Sequence, residues 1–184
     1  MRMIFKDPLL DAARILLAIF IGVCCFAAAM LLIGAPTLLF FEDRVLAELA
    51  AEGITGIGSE FTGALAMILV GAAGLLALAV WFMLLLFRIV ASVGEGEPFT
   101  LENSKRLARM GWIALAGQLA TIPVGALMLW VASKVEDLPA ASHLRLEADF
   151  GLDGEGILLV LILFILARVF RRGAAMREDL EGTV

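Results

Sequence analysis

The chain has 184 residues, 62% of them hydrophobic, with a mean hydropathy of +1.00. A soluble domain of this length cannot enclose that much apolar surface, so the composition excludes an ordinary globular protein and requires lipid as cover. The formal net charge of -5 averages over two compartments in such a protein and has to be split by side before it bears on partners.

Near the amino terminus, Asp7-Pro8 suits a helix N-cap followed by proline in the first turn. An uncharged run then extends from Ile15 to Phe41, longer than the about 20 residues a helix needs to cross a bilayer. It is too long for the core of an export signal and has no polar cleavage region, so it is expected to stay in the membrane. Gly34-Ala35-Pro36 should kink or end the helix. Cys24 and Cys25 are adjacent within the run, where a mutual disulfide would be strained, and they read as small packing residues.

The segment 42–60 begins as a short amphipathic helix through Ala51, with Val45, Leu46 and Leu49 on one side, and continues as a flexible Gly53 to Gly58 stretch. A second uncharged run covers 61–87, and its Gly71 and Gly74 are candidates for close helix packing. The segment 88–110 is polar and reads as a loop, with Thr100 placed to cap the next helix and Glu102 in its first turn. A third run, 111–132, carries Gly117, Thr121 and Gly125 at four-residue spacing, which puts them on one face as a packing seam. Pro123 predicts a bend there, and Gln118 needs a hydrogen-bond partner if it faces the bundle.

The segment 133–153 contains His143 to Phe150, whose alternation favours a short strand in a small outer cap. His143 shares the polar face with Glu147 and Asp149, and a solvated surface accounts for that face more simply than a metal site. A fourth run, 154–172, is apolar only in its centre, so crossing requires Arg168, Arg171 and Arg172 to snorkel toward lipid phosphates. The expected fold is therefore an all-α membrane protein of four transmembrane helices forming a single domain.

Basic residues set orientation, since Lys and Arg are retained in the cytoplasm. The amino-terminal segment, the 88–110 loop and the tail hold eleven of the fourteen; the other two connections hold only Arg44, Lys134 and Arg145. Both termini are expected inside, with 42–60 and 133–153 outside. The inner charge is +3 and the outer -8, and Lys105, Arg106, Arg109, Arg168, Arg171 and Arg172 are candidate contacts for lipid headgroups.

No ionisable residue lies in the middle of the first three runs, which argues against an ion-coupled transporter. The glycines at 94–96 lack phosphate-loop spacing, and no catalytic or metal motif is present, so neither an enzyme nor a cofactor is expected.

Two stretches carry a family resemblance: Gly96-Glu-Pro-Phe99 with Asn103 four residues on, and Ile165 to Gly173 followed by the Arg177 to Val184 tail. They resemble the bacterial membrane-protein family DUF2975, in which a G-x-PF-x-x-x-N loop precedes the third helix and the tail ends in an L-x-x-T-[IV] pattern. The resemblance implies a partner, a small cytoplasmic helix-turn-helix regulator of the Xre type, with Pro98, Phe99, Asn103, Asp179, Leu180 and Thr183 as candidate partner-binding positions. The leading expectation is an inner-membrane protein that tethers or regulates such a partner without binding DNA itself. Two alternatives stand beside it: a receptor or carrier for a lipid or hydrophobic small molecule held between glycine-lined helices bent at Pro36 and Pro123, and an accessory structural subunit. The glycine seams serve packing within one chain or between copies, and the sequence leaves a homo-oligomer open.

Overall fold

The computed structural model describes residues 8–51, 57–134 and 153–181, and every regular element among them is helical. Helix α1 spans Pro8–Phe40, α2 Glu42–Ala51, α3 Ser59–Gly94, α4 Leu101–Lys134 and α5 Gly154–Glu181. The expected strand at 143–150, with His143, lies outside the described residues, as do residues 52–56 of the glycine-rich stretch.

Local chemistry places the helix ends, and hydropathy does not. Pro8 opens α1, where its missing N–H costs nothing because the first turn has no acceptor for it. Phe41 joins α1 to α2: its N–H donates to the Thr37 carbonyl at 3.1 Å, and its own carbonyl accepts from Arg44 and Val45 at the start of α2. Pro36 and Pro123 both lie inside their helices. Each proline removes one backbone donor, and nearby hydroxyls add bonds to the carbonyl ladder, Thr37 to Ile33 and Thr121 to Gln118 at 2.7 Å. Asp153 caps α5, its carboxylate accepting from the Glu155 N–H at 2.9 Å.

Hydropathy alone marked 88–110 as a loop, but both flanking helices run into it, leaving only residues 95–100 between them. The cause is capping strength. Gly96 takes a φ of +83°, and the N–H groups of Glu97 and Gly96 return to the carbonyls of Ser92 and Val93 at 3.1 and 3.0 Å. That pair of bonds with a left-handed glycine is the Schellman stop. On the far side, Thr100 Oγ1 accepts from the Asn103 N–H at 3.2 Å and starts α4.

The chain divides into two compact units. The first contains residues 8–24 of α1, 78–94 of α3, 101–117 of α4 and all of α5; its core is Leu85, Ile89, Leu107, Met110, Ile113, Leu163 and Ala167. The second contains residues 25–40 of α1, α2, 59–77 of α3 and 118–134 of α4; its core is Phe61, Ala64, Ile68, Val124 and Val131, with Leu49 of α2 packed against it.

Large apolar side chains cover much of the outside. Phe26, Ile33 and Ile15 of α1 are exposed by more than half, as are Met67, Leu158 and Ile165 elsewhere. Helices α1, α3 and α4 are long and apolar enough to cross a membrane. No residue in the most apolar stretch of α1 is fully buried by the rest of the chain, so the remaining cover must come from outside the protein.

Between helices already in lipid, burial supplies little drive and close packing must supply the rest. Gly71 shows this in the second unit: a Cβ there would stand 2.6 Å from Val124 Cγ2. In the first unit, a Cβ on Gly111 would stand 3.1 Å from the Phe164 ring. Gly74 and Gly117, by contrast, have open space where a Cβ would go, and Gly125 is buried. Gly71→Ala should destabilise the protein by about 1–3 kcal/mol through overpacking, with Val124→Ala in the same chain recovering most of the loss. Gly74→Ala should be neutral or slightly stabilising, since Ala is the better helix former. Thermal unfolding in one detergent tests this, and equal losses at the two glycines would contradict the packing described.

Candidate functional site

The patterned residues of the α3–α4 turn converge on one buried amide. Asn103 has no exposed surface, and its Nδ2 donates to the Pro98 carbonyl at 2.9 Å and to Ser92 Oγ at 2.6 Å. Its Oδ1 accepts from Arg106 Nη1 at 3.0 Å. One side chain thus satisfies the last turn of α3, the bend and the first turns of α4 together. Ser92 passes the connection on by donating to the Ile89 carbonyl at 2.8 Å, and Arg106 does so through the Arg88 carbonyl at 3.3 Å and the Glu102 carboxylate at 3.7 Å.

Helix α5 lies against this turn, antiparallel to α4. Ser104 is fully buried and donates to the Ala167 carbonyl at 2.9 Å. The Phe99 and Phe170 rings meet at 5.1 Å between centroids, and a Cβ on Gly173 would come within 2.9 Å of Phe99 Cδ1. Arg177 Nη2 reaches Glu97 Oε1 at 3.2 Å. From the amino-terminal side, Arg14 Nη2 donates to the Ala91 carbonyl at 2.9 Å and fills the space over Gly94. A cation there suits the negative end of the α3 dipole.

The structure therefore brings Pro98, Phe99 and Asn103 together, with Asn103 inside, Pro98 half-buried and Phe99 still 45% exposed. Asp179 is exposed on α5, while Thr183 and the side chain of Leu180 lie outside what is described. Lys105, Arg109, Arg168, Arg171 and Arg172 are exposed on α4 and α5, but Arg106 is half-buried in the turn network. Arg14 and Ser92 were missed in the sequence. Arg14 touches a carbonyl 77 residues away and Ser92 an amide 11 residues away, and neither spacing is a recognisable signature.

The second unit holds a different feature, an apolar groove of about 580 Å³. Its walls include Pro36 and Leu39 from α1, Gly63 and Met67 from α3, and Pro123 and Leu127 from α4. Among the described residues, no group of three or more His, Cys, Asp or Glu is arranged to hold a metal ion.

These helices and their uncovered apolar surface define the class as a multi-pass protein of the membrane type, all-helical among the described residues. Within that class the chain belongs to the DUF2975 family, a protein family of unknown function whose profile matches residues 46–184. No curated protein and no solved structure matches the chain.

Replacing Asn103 with Ala removes one hydrogen-bond partner each from Ser92, the Pro98 carbonyl and the half-buried Arg106 guanidinium, and leaves a cavity where a fully buried side chain stood. The expected loss is roughly 1–3 kcal/mol. Gly96→Ala, forced to a positive φ, should lose roughly 1–2 kcal/mol by a separate route. Chemical denaturation of the purified protein checks both, and an Asn103→Ala chain as stable as the parent would refute the hub.

Proposed function

We propose that this protein is a four-span, non-enzymatic component of the bacterial inner membrane that docks a small cytoplasmic helix-turn-helix regulator on its inner end. The observation that carries this reading is the concentration of the family pattern at the α3–α4 turn. Gly96, Pro98, Phe99 and Asn103 shape a turn that α5 then braces, while the Phe99 ring keeps 45% of its surface open. Spanning a membrane requires none of this. A rigid, solvent-reachable aromatic on an ordered turn suits a protein anchor.

The distribution of Lys and Arg supports both termini in the cytoplasm. The exposed apolar residues Leu158, Leu161 and Ile165 of α5 support a fourth span beside α1, α3 and α4. In a chain whose Cys24 and Cys25 have been replaced, a membrane-impermeant maleimide should label Glu48→Cys in spheroplasts but Glu178→Cys only after lysis. Labelling of both before lysis would refute this topology.

Purification of the tagged protein from its native bacterium in mild detergent should retain the regulator in near-equal amount. Phe99→Ala should reduce that recovery roughly tenfold or more, the scale of an interface anchor. A wild-type preparation carrying no such protein would contradict the docking reading.

One observation favours a second reading, a receptor or carrier for a lipid or hydrophobic small molecule. The groove of about 580 Å³ has an almost wholly apolar lining and gathers Pro36, Pro123, Gly63 and Gly71. Native mass spectrometry that found one lipid species retained, and lost on Gly63→Leu, would favour this reading over docking.

A further inference from the structure

The contacts between α5 and the α3–α4 turn differ in kind along the helix. At Phe164 and Ala167, α5 is locked: Phe164 fills the space over Gly111, and the Ala167 carbonyl takes the buried Ser104 hydroxyl. Leu163 and Ala167 also belong to the core of the first unit. Beyond Phe170 the attachment changes character. The prominent contacts there are the half-exposed Phe99 ring over Gly173, the small buried Ala174, and the Glu97–Arg177 ion pair, whose partners are 57% and 41% exposed. An ion pair that open to solvent is screened by salt and holds weakly.

We propose that the last part of α5, from Gly173 to Glu181, is a strap fastened to the α3–α4 turn by Phe99 in the Gly173 notch and by Glu97 on Arg177, and that it opens as a unit while the rest of α5 stays packed. Opening uncovers the second face of the Phe99 ring, the Glu97 carboxylate and the surface over Ala174, all on the inner end of the molecule. The strap is a property of the isolated chain and does not depend on the docking reading. If docking holds, the strap covers in cis part of the surface a partner would meet.

The notch residue separates this device from simple helix stability. Alanine is the better helix former, so Gly173→Ala would strengthen an independent tail helix. Here the added methyl would meet the Phe99 ring at 2.9 Å, and the ring must move, so the same substitution should loosen the strap.

Hydrogen exchange read by mass spectrometry, on the full chain in nanodiscs of neutral lipid, tests this. Peptides covering 173–181 should exchange roughly tenfold faster in Phe99→Ala and also faster in Gly173→Ala. In Glu97→Gln the increase should be up to about fivefold. Peptides covering 103–113 and 157–167 should not change. The wild-type chain provides an arm that needs no variant: raising salt should accelerate the tail peptides alone, and Glu97→Gln should reduce that dependence. Slower tail exchange in Gly173→Ala would overturn the proposal, as would acceleration of the whole first unit together in Phe99→Ala, or salt-independent exchange of the wild-type tail.

Discussion

The first compact unit of this molecule depends on the burial of one carboxamide. A buried amide must find partners for both N–H groups and for its oxygen, because each unpaired group costs on the order of 1–3 kcal/mol. Asn103 finds them on three successive stretches of chain: Ser92 in α3, the Pro98 carbonyl in the bend, and Arg106 in α4. Satisfying the amide therefore determines how α3 turns into α4. The turn in turn sets Phe99 against Phe170 and Gly173 of α5. The Schellman stop at Gly96 and the Thr100 cap deliver the chain to the geometry the amide requires.

A second constraint acts on the remaining surface. Helices with as much exposed Leu, Ile, Phe and Met as α1 and α3 carry are stable only where apolar matter surrounds them, and backbone polarity there must be satisfied within the helices. That constraint explains why the described chain is all helical. It also explains why the interior contacts use glycine against a branched or aromatic side chain, Gly71 on Val124 and Gly111 on Phe164. In lipid the gain comes from fit between surfaces, since burial by itself gains little.

Much of this was legible in the residues. The uncharged runs at 61–87 and 111–132 lie within α3 and α4, the run at 15–41 lies within α1 except for Phe41 at its end, and the amphipathic segment ending at Ala51 is α2. Thr100 was readable as a cap because its position before Glu102 is a local signal. The helical character of most of 88–110 was not legible from hydropathy, since charged Arg, Lys and Glu side chains are polar and yet good helix formers. Glycine seams were readable only as a class: spacing cannot tell Gly71, pressed on Val124, from Gly74, which faces open space. Family pattern singled out Phe99 and Asn103, but their bonding needs the turn to be built first. Arg14, fixed to a carbonyl of α3, carries no pattern at all.

The central claim is that α5 rests on the α3–α4 turn through residues 99 and 173. It is tested most directly by cysteine cross-linking in native membranes, with Phe99→Cys and Gly173→Cys introduced together after replacement of Cys24 and Cys25. The ring of Phe99 sits so close over Gly173 that mild oxidation should join the two positions within one chain, and a control pairing Phe99→Cys with Arg172→Cys, one position away on the helix, should join poorly. Absence of the 99–173 link, or equal linking of both pairs, would contradict the packing of α5 on the α3–α4 turn.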